Sequence, residues 1–255
     1  IPSSVPEKSI RPQRSMSSLL TDMNNMFKAK ATGKLPAALP YMIALAVCCI
    51  AMSAIELIFT PTYFVKAAIK LALFVIIPMS LVLIRKETKM LRFFKPNKKT
   101  LLPMLGFGVL MYGFIIGAYF LLGKYFDLSG ITSSLDEIGV TKQNFIFVAL
   151  YIAVCNSFLE EFIFRGFGFI GLSEKLGAKW ACIFSAICFA LYHITMMIGW
   201  YSIWLTALII FALFVGGVIL NILDSKCKTV YPAWIVHIFA NLAINTIGMI
   251  LFGMF

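Results

Sequence analysis

Asn156-Ser157-Phe158-Leu159-Glu160-Glu161-Phe162-Ile163-Phe164-Arg165-Gly166 is the stretch on which the reading of the whole chain turns. Two adjacent carboxylates and an arginine stand inside an apolar run from Phe145 to Leu172. A run of that length crosses a bilayer, which takes about 20 residues. A charge at bilayer depth costs roughly 2.5–3.5 kcal/mol on insertion scales, so three in one span imply a role that requires them. Glu161 and Arg165 are four apart with the acid first, the favourable order for an ion pair on one helical face. Glu160 points about 100° away and has no such partner on its own helix. Helical geometry therefore predicts a structural acid at 161 and a chemically free acid at 160.

The rest of the composition agrees with a membrane span. Of 255 residues, 61% are hydrophobic and 13% charged, and the mean hydropathy is +0.93. Those values exclude an ordinary soluble domain and predict an all-α polytopic bundle. A net charge of +11 would suit nucleic acid. The basic residues lie beside apolar runs, however, where they set topology, so the expected surroundings are membrane lipid and no nucleic acid. Cys48, Cys49, Cys155, Cys182 and Cys188 lie within apolar runs and Cys227 in a short polar loop. Thiols so placed read as small apolar residues rather than disulfides or a metal site. No cleavable signal peptide is evident, and the absent initiator Met suggests a trimmed or partial start.

Seven spans are expected, at 38–59, 64–84, 101–122, 145–169, 178–198, 202–223 and 230–254. An eighth is expected only if the 123–144 connection re-enters the membrane. Of the 22 Lys and Arg residues, eighteen fall on the side of the N-terminus when Arg165 is counted with Lys175 and Lys179 near one connection. Lys66, Lys70, Lys124 and Lys142 are assigned to the other side. The positive-inside rule then puts the N-terminus in the cytoplasm. Three units are expected: a cytoplasmic tail over 1–36 carrying an interfacial helix, three spans and an outer loop over 37–144, and a membrane core over 145–255.

The chain has two histidines, and both fall in apolar spans. His193 closes Phe189-Ala190-Leu191-Tyr192-His193, and His237 opens His237-Ile238-Phe239-Ala240-Asn241. A lone histidine on an apolar face is commonly a satisfied core residue; two of two beside a glutamate pair imply a shared site. Counted from the cytoplasmic ends at 1.5 Å per residue, Glu160 lies about 13 Å deep, His237 about 10 Å and His193 nearer 20 Å. A tilt or a dipping connection is needed to bring them level.

Three chemistries suit these groups. Glu160 can act as general base on a water molecule with help from one histidine. The second histidine and the Asn241 amide would then donate to the oxyanion. Alternatively, the two histidines and a glutamate could bind zinc, although no H-E-x-x-H helix is present. A proton or ion relay is the third possibility, without the inverted repeats usual for transporters. Ser157 lies outside any Gly-x-Ser-x-Gly elbow and is expected to bond back to its own helix.

These residues resemble the CAAX protease and bacteriocin-processing (Abi) intramembrane proteases, which include the type II CAAX prenyl endopeptidases. The family pattern Glu-Glu-x-x-x-Arg, Phe-x-x-x-His, His-x-x-x-Asn is met by Glu160-Glu161 with Arg165, Phe189 with His193, and His237 with Asn241. The resemblance covers residues 145–245. It implies that Glu160 and His193 orient and deprotonate water, that His237 and Asn241 form the oxyanion hole, and that Glu161, Arg165 and Phe189 support them. It implies an endopeptidase without a resident cofactor, with zinc left open by an older description of the family as metalloproteases. The implied partners are a peptide or lipid-modified protein in a bacterial cell membrane. A non-catalytic bacteriocin-immunity protein is the alternative from another class.

Overall fold

The computed structural model describes residues 35–96 and 98–255. Its helices among them are α1 (Leu35–Phe59), α2 (Tyr63–Ile84), α3 (Lys98–Leu122), α4 (Gly130–Glu137), α5 (Phe145–Leu176), α6 (Ala178–Met197), α7 (Ile203–Cys227) and α8 (Tyr231–Leu251). All but α4 belong to the seven segments long and apolar enough to cross a membrane. No strand occurs among the described residues. The fold is the all-α bundle that hydropathy predicts. α4 has eight residues, far short of a crossing, so among the described residues the 123–144 connection adds no eighth span. The interfacial helix expected within 1–36 falls before Leu35, outside the described residues.

α1 shows how these helices divide between protein and lipid. Its buried positions Ala38, Tyr41, Leu45, Cys48, Met52 and Glu56 recur every three or four residues, one stripe of a helix. Leu39, Ile43, Ile50 and Leu57 point away from that stripe and are exposed. Lipid is as apolar as leucine, so such faces carry no penalty and close packing must hold the bundle together.

α5 is the centre. From Ser157 to Leu172 every side chain except Phe158 and Ile170 is buried. It packs against α1, α2, α6, α7 and α8, whereas α3 lies outside, packed along α8. The apolar run around Glu160 is therefore mostly protein core rather than lipid-facing surface. Two stretches of α5, Ile152–Asn156 and Glu161–Gly171, widen into π-helix, a form that often marks functional sites. Close approach accompanies the second: a Cβ on Gly166 would lie 2.6 Å from the Phe93 ring. A larger residue there would have to displace that ring.

α8 is fastened to the first π stretch of α5 and the turn before it by a stripe of polar side chains. Trp234 Nε1 donates to Val154 O (3.1 Å), Asn241 Nδ2 to Ile152 O (3.2 Å) and Asn245 Nδ2 to Ala149 O (2.9 Å). On the other flank, Ser185 Oγ of α6 donates to Phe164 O at 2.6 Å. Backbone carbonyls of α5 thus find partners on neighbouring spans, as the absence of water in a bilayer requires. Ser157 bonds back to Ala153 O at 2.5 Å, as its sequence position predicts.

Candidate active site

The depth mismatch among Glu160, His193 and His237 disappears in the structure. The fourth span ends at Leu176 rather than 169, and Gly177 (φ 86°) makes the turn into α6. Glu160 stands 17 residues before that turn and His193 16 after it, so two nearly equal arms bring them level. α8 starts inside the protein. Thr229 and Val230, just ahead of it, are buried and bond to Phe93 O at 2.8 and 3.2 Å. Asp224 Oδ1, also buried, accepts from Ala233 N at 2.9 Å and secures the first turn of α8. His237 is carried inward accordingly.

The three groups converge on one oxygen. Glu160 Oε2 lies 3.9 Å from His193 Nε2 and 3.7 Å from His237 Nε2. Each imidazole is oriented through its other nitrogen. His193 Nδ1 is 2.6 Å from Phe189 O, a carbonyl that can only accept. Nδ1 therefore carries the proton, and the neutral ring presents an acceptor at Nε2. His237 Nδ1 is 2.6 Å from Glu161 Oε1, so a carboxylate supports any positive charge that ring takes up.

Glu161 also forms the expected pair with Arg165, at 3.2 Å, with both side chains almost wholly buried. The Arg165 guanidinium lies over the Phe189 ring, 4.1 Å from its centroid. That ring in turn meets His193 edge-on at 4.7 Å and His237 at 6.0 Å. Phe189 thus stands between the Arg165 guanidinium and the imidazoles, while Glu161 reaches past it to His237. Asn241, one turn on from His237 in α8, is buried, with one amide N–H given to Ile152 O and a second left to donate.

Three expectations need correction. Arg165, counted among the loop cations, is fully buried in α5. Lys66 and Lys70, assigned to the outer side, belong to α2: Lys66 pairs with Glu56, and Lys70 is only 4% exposed. Glu160 is not unpartnered. Its Oε1 accepts from Lys70 Nζ at 3.0 Å and from Asn156 Nδ2 at 2.9 Å, the latter four residues earlier on its own helix. Lys70 Nζ also donates to Asn156 Oδ1 at 2.6 Å, closing a three-membered network. The sequence signal for both was present, a lysine and an asparagine inside apolar runs.

This arrangement does not fit zinc. Among the described residues no group of three His, Cys, Asp or Glu side chains is disposed to hold a metal ion. The ammonium of Lys70 on Glu160 would moreover repel a divalent cation.

An apolar pocket of about 690 Å³ lies between α2, α5 and α8, with none of Glu160, His193, His237 or Asn241 in its lining. Ala67 and Leu71 flank it on one side, Cys155 and Leu159 on another, and Tyr231 and Trp234 close it. Cys155, expected as a buried apolar residue, is exposed there.

Residues 142–243 match the family model described as type II CAAX prenyl endopeptidase Rce1-like. The interval holds Glu160, Glu161, Arg165, Phe189, His193, His237 and Asn241, and it leaves out Lys70. No curated protein and no solved structure gives a match to the chain.

Proposed function

We propose, on the premise that residues 142–243 match the type II CAAX prenyl endopeptidase Rce1-like family model, that this protein hydrolyses peptide bonds of membrane-associated substrates by a glutamate-activated water. The observation that carries the proposal is the convergence of both imidazole Nε2 atoms on Glu160 Oε2. Water bound at that oxygen gives its proton to Glu160 while His193 Nε2 accepts its second hydrogen bond. The water oxygen attacks the scissile carbonyl. The oxyanion that forms is stabilised by the free Asn241 N–H and by a proton on His237 Nε2, which the Glu161 carboxylate supports from behind. Breakage of the C–N bond returns the proton from Glu160 to the leaving amine. Arg165 and Phe189 hold Glu161 and the rings in place.

The apolar cavity supports a substrate that brings a lipid or a bulky apolar side chain to the site from the bilayer. A prenylated peptide is the form suggested by the family description. Orientation follows from the cations. With Arg165, Lys66 and Lys70 withdrawn from the loops, seventeen remain on the N-terminal side against Lys124 and Lys142. That sharper bias supports a cytoplasmic N-terminus.

The test uses purified protein in lipid nanodiscs and a fluorescence-quenched peptide ending in a farnesylated cysteine and three further residues. Wild type cleaves it, whereas Glu160→Gln and His193→Ala leave it intact while still folding and inserting into the nanodisc. Cleavage at the wild-type rate by both variants would sink the proposal.

A further inference from the structure

Lys70 is a cation that the proposed hydrolysis does not use, yet it makes two bonds inside the site. Its side chain comes from α2, outside the interval that matches the family. The ammonium is 4% exposed, 3.0 Å from Glu160 Oε1 and 2.6 Å from Asn156 Oδ1. Two aromatic rings close over it, with centroids at 5.0 Å for Tyr192 and 5.7 Å for Phe74. A lysine so enclosed has lost its hydration, which only its attraction to a fixed negative charge offsets.

We propose that Lys70, with Asn156 as the second donor, is a positioning residue for the reaction: together they occupy Glu160 Oε1 and turn Oε2 toward the two imidazoles. This inference rests on the reading of Glu160 as the base. Two donors on Oε1 leave the carboxylate one direction in which to accept a proton. The direction left is that of His193 and His237. The ammonium also balances the charge of the acid at a depth where no solvent does so. Asn156 contributes geometry, because its Oδ1 receives Lys70 while its Nδ2 reaches Glu160, which locks the three side chains into one arrangement.

The experiment measures kcat and KM on the farnesylated reporter peptide in nanodiscs, with thermal unfolding of each variant. Lys70→Gln keeps length and a donor but removes the charge. Lys70→Arg keeps the charge, and Asn156→Leu removes the second donor. In Lys70→Gln, kcat falls by roughly 10²-fold, the lower part of the range for general-base catalysis. KM stays within about twofold, because Lys70 touches Glu160 rather than the substrate. Lys70→Arg recovers part of kcat, and Asn156→Leu shows the same split as Lys70→Gln.

Wild-type kcat in Lys70→Gln, with Glu160→Gln inactive, overturns the role of Lys70 and leaves the peptidase reading standing. Equal losses of kcat and stability in Lys70→Gln and Lys70→Arg overturn it too, because they mark a packing residue. Activity in Glu160→Gln instead overturns the reading on which the inference rests.

Discussion

Replacing Arg165 by leucine isolates the part of the site that braces rather than reacts. The guanidinium is wholly buried, pairs with Glu161 at 3.2 Å and covers the Phe189 ring at 4.1 Å. Removing it strands the Glu161 carboxylate in a dry interior. Breaking a buried pair from one side costs about 3–5 kcal/mol. Loss of a desolvated cation–π contact adds about 2 kcal/mol. At roughly 2–4 °C per kcal/mol for a chain near this size, the unfolding temperature should drop by 10 °C or more.

The double variant Glu161→Leu/Arg165→Leu removes both charges. Buried pairs replaced by apolar residues of similar volume are often neutral or better, so most of that stability returns. Activity does not return, since His237 Nδ1 has lost the oxygen that orients it at 2.6 Å. Thermal unfolding in nanodiscs and reporter cleavage read the two effects separately. A double variant no more stable than Arg165→Leu would refute the reasoning, as would one that regains wild-type cleavage.

Gly166→Ala places a Cβ 2.6 Å from the Phe93 ring and should cost about 1–3 kcal/mol as overpacking, with Phe93→Leu relieving it in a double-variant unfolding series. Asn245→Leu removes a buried side-chain bond to the Ala149 carbonyl, which keeps its backbone partner Ile152 N, so unfolding measurements should show a loss of about 0.5–1.5 kcal/mol with cleavage reduced only in step. Glu87 outside the spans gives a pH signature. Burial works to raise its pKa, but its bond to Lys175 and the charge of that lysine hold it below 4.5. A lowered folded-state pKa means stability that is present above the unfolded value and lost as pH falls through the folded one. Glu87→Gln should flatten that acid-side decline in a plot of unfolding temperature against pH.

Much of this architecture was legible in the chain because a bilayer restricts what an apolar run can do. Each run became a helix, with ends misplaced by a few residues except where α5 continues to Leu176. Glu161 and Arg165 were predictable because their bond lies within one helix. The motif residues of α5, α6 and α8 were found by type, but their convergence was not. It depends on the Gly177 turn and on the buried start of α8, which helical counting from assumed membrane edges misses. Lys70 was misread for a related reason. A lysine seven residues inside α2 resembles a topology signal unless the acid it meets, 90 positions away, is known. The stripe Trp234, His237, Asn241 and Asn245 recurs at helical spacing and could have marked the face of α8 that meets α5.

The most direct test of the central claim compares peptides from membranes carrying wild type with those from membranes carrying Glu160→Gln, using mass spectrometry of newly formed chain ends. A water activated at Glu160 predicts a set of new carboxyl termini that the variant lacks. Identical chain ends in the two membranes would contradict it.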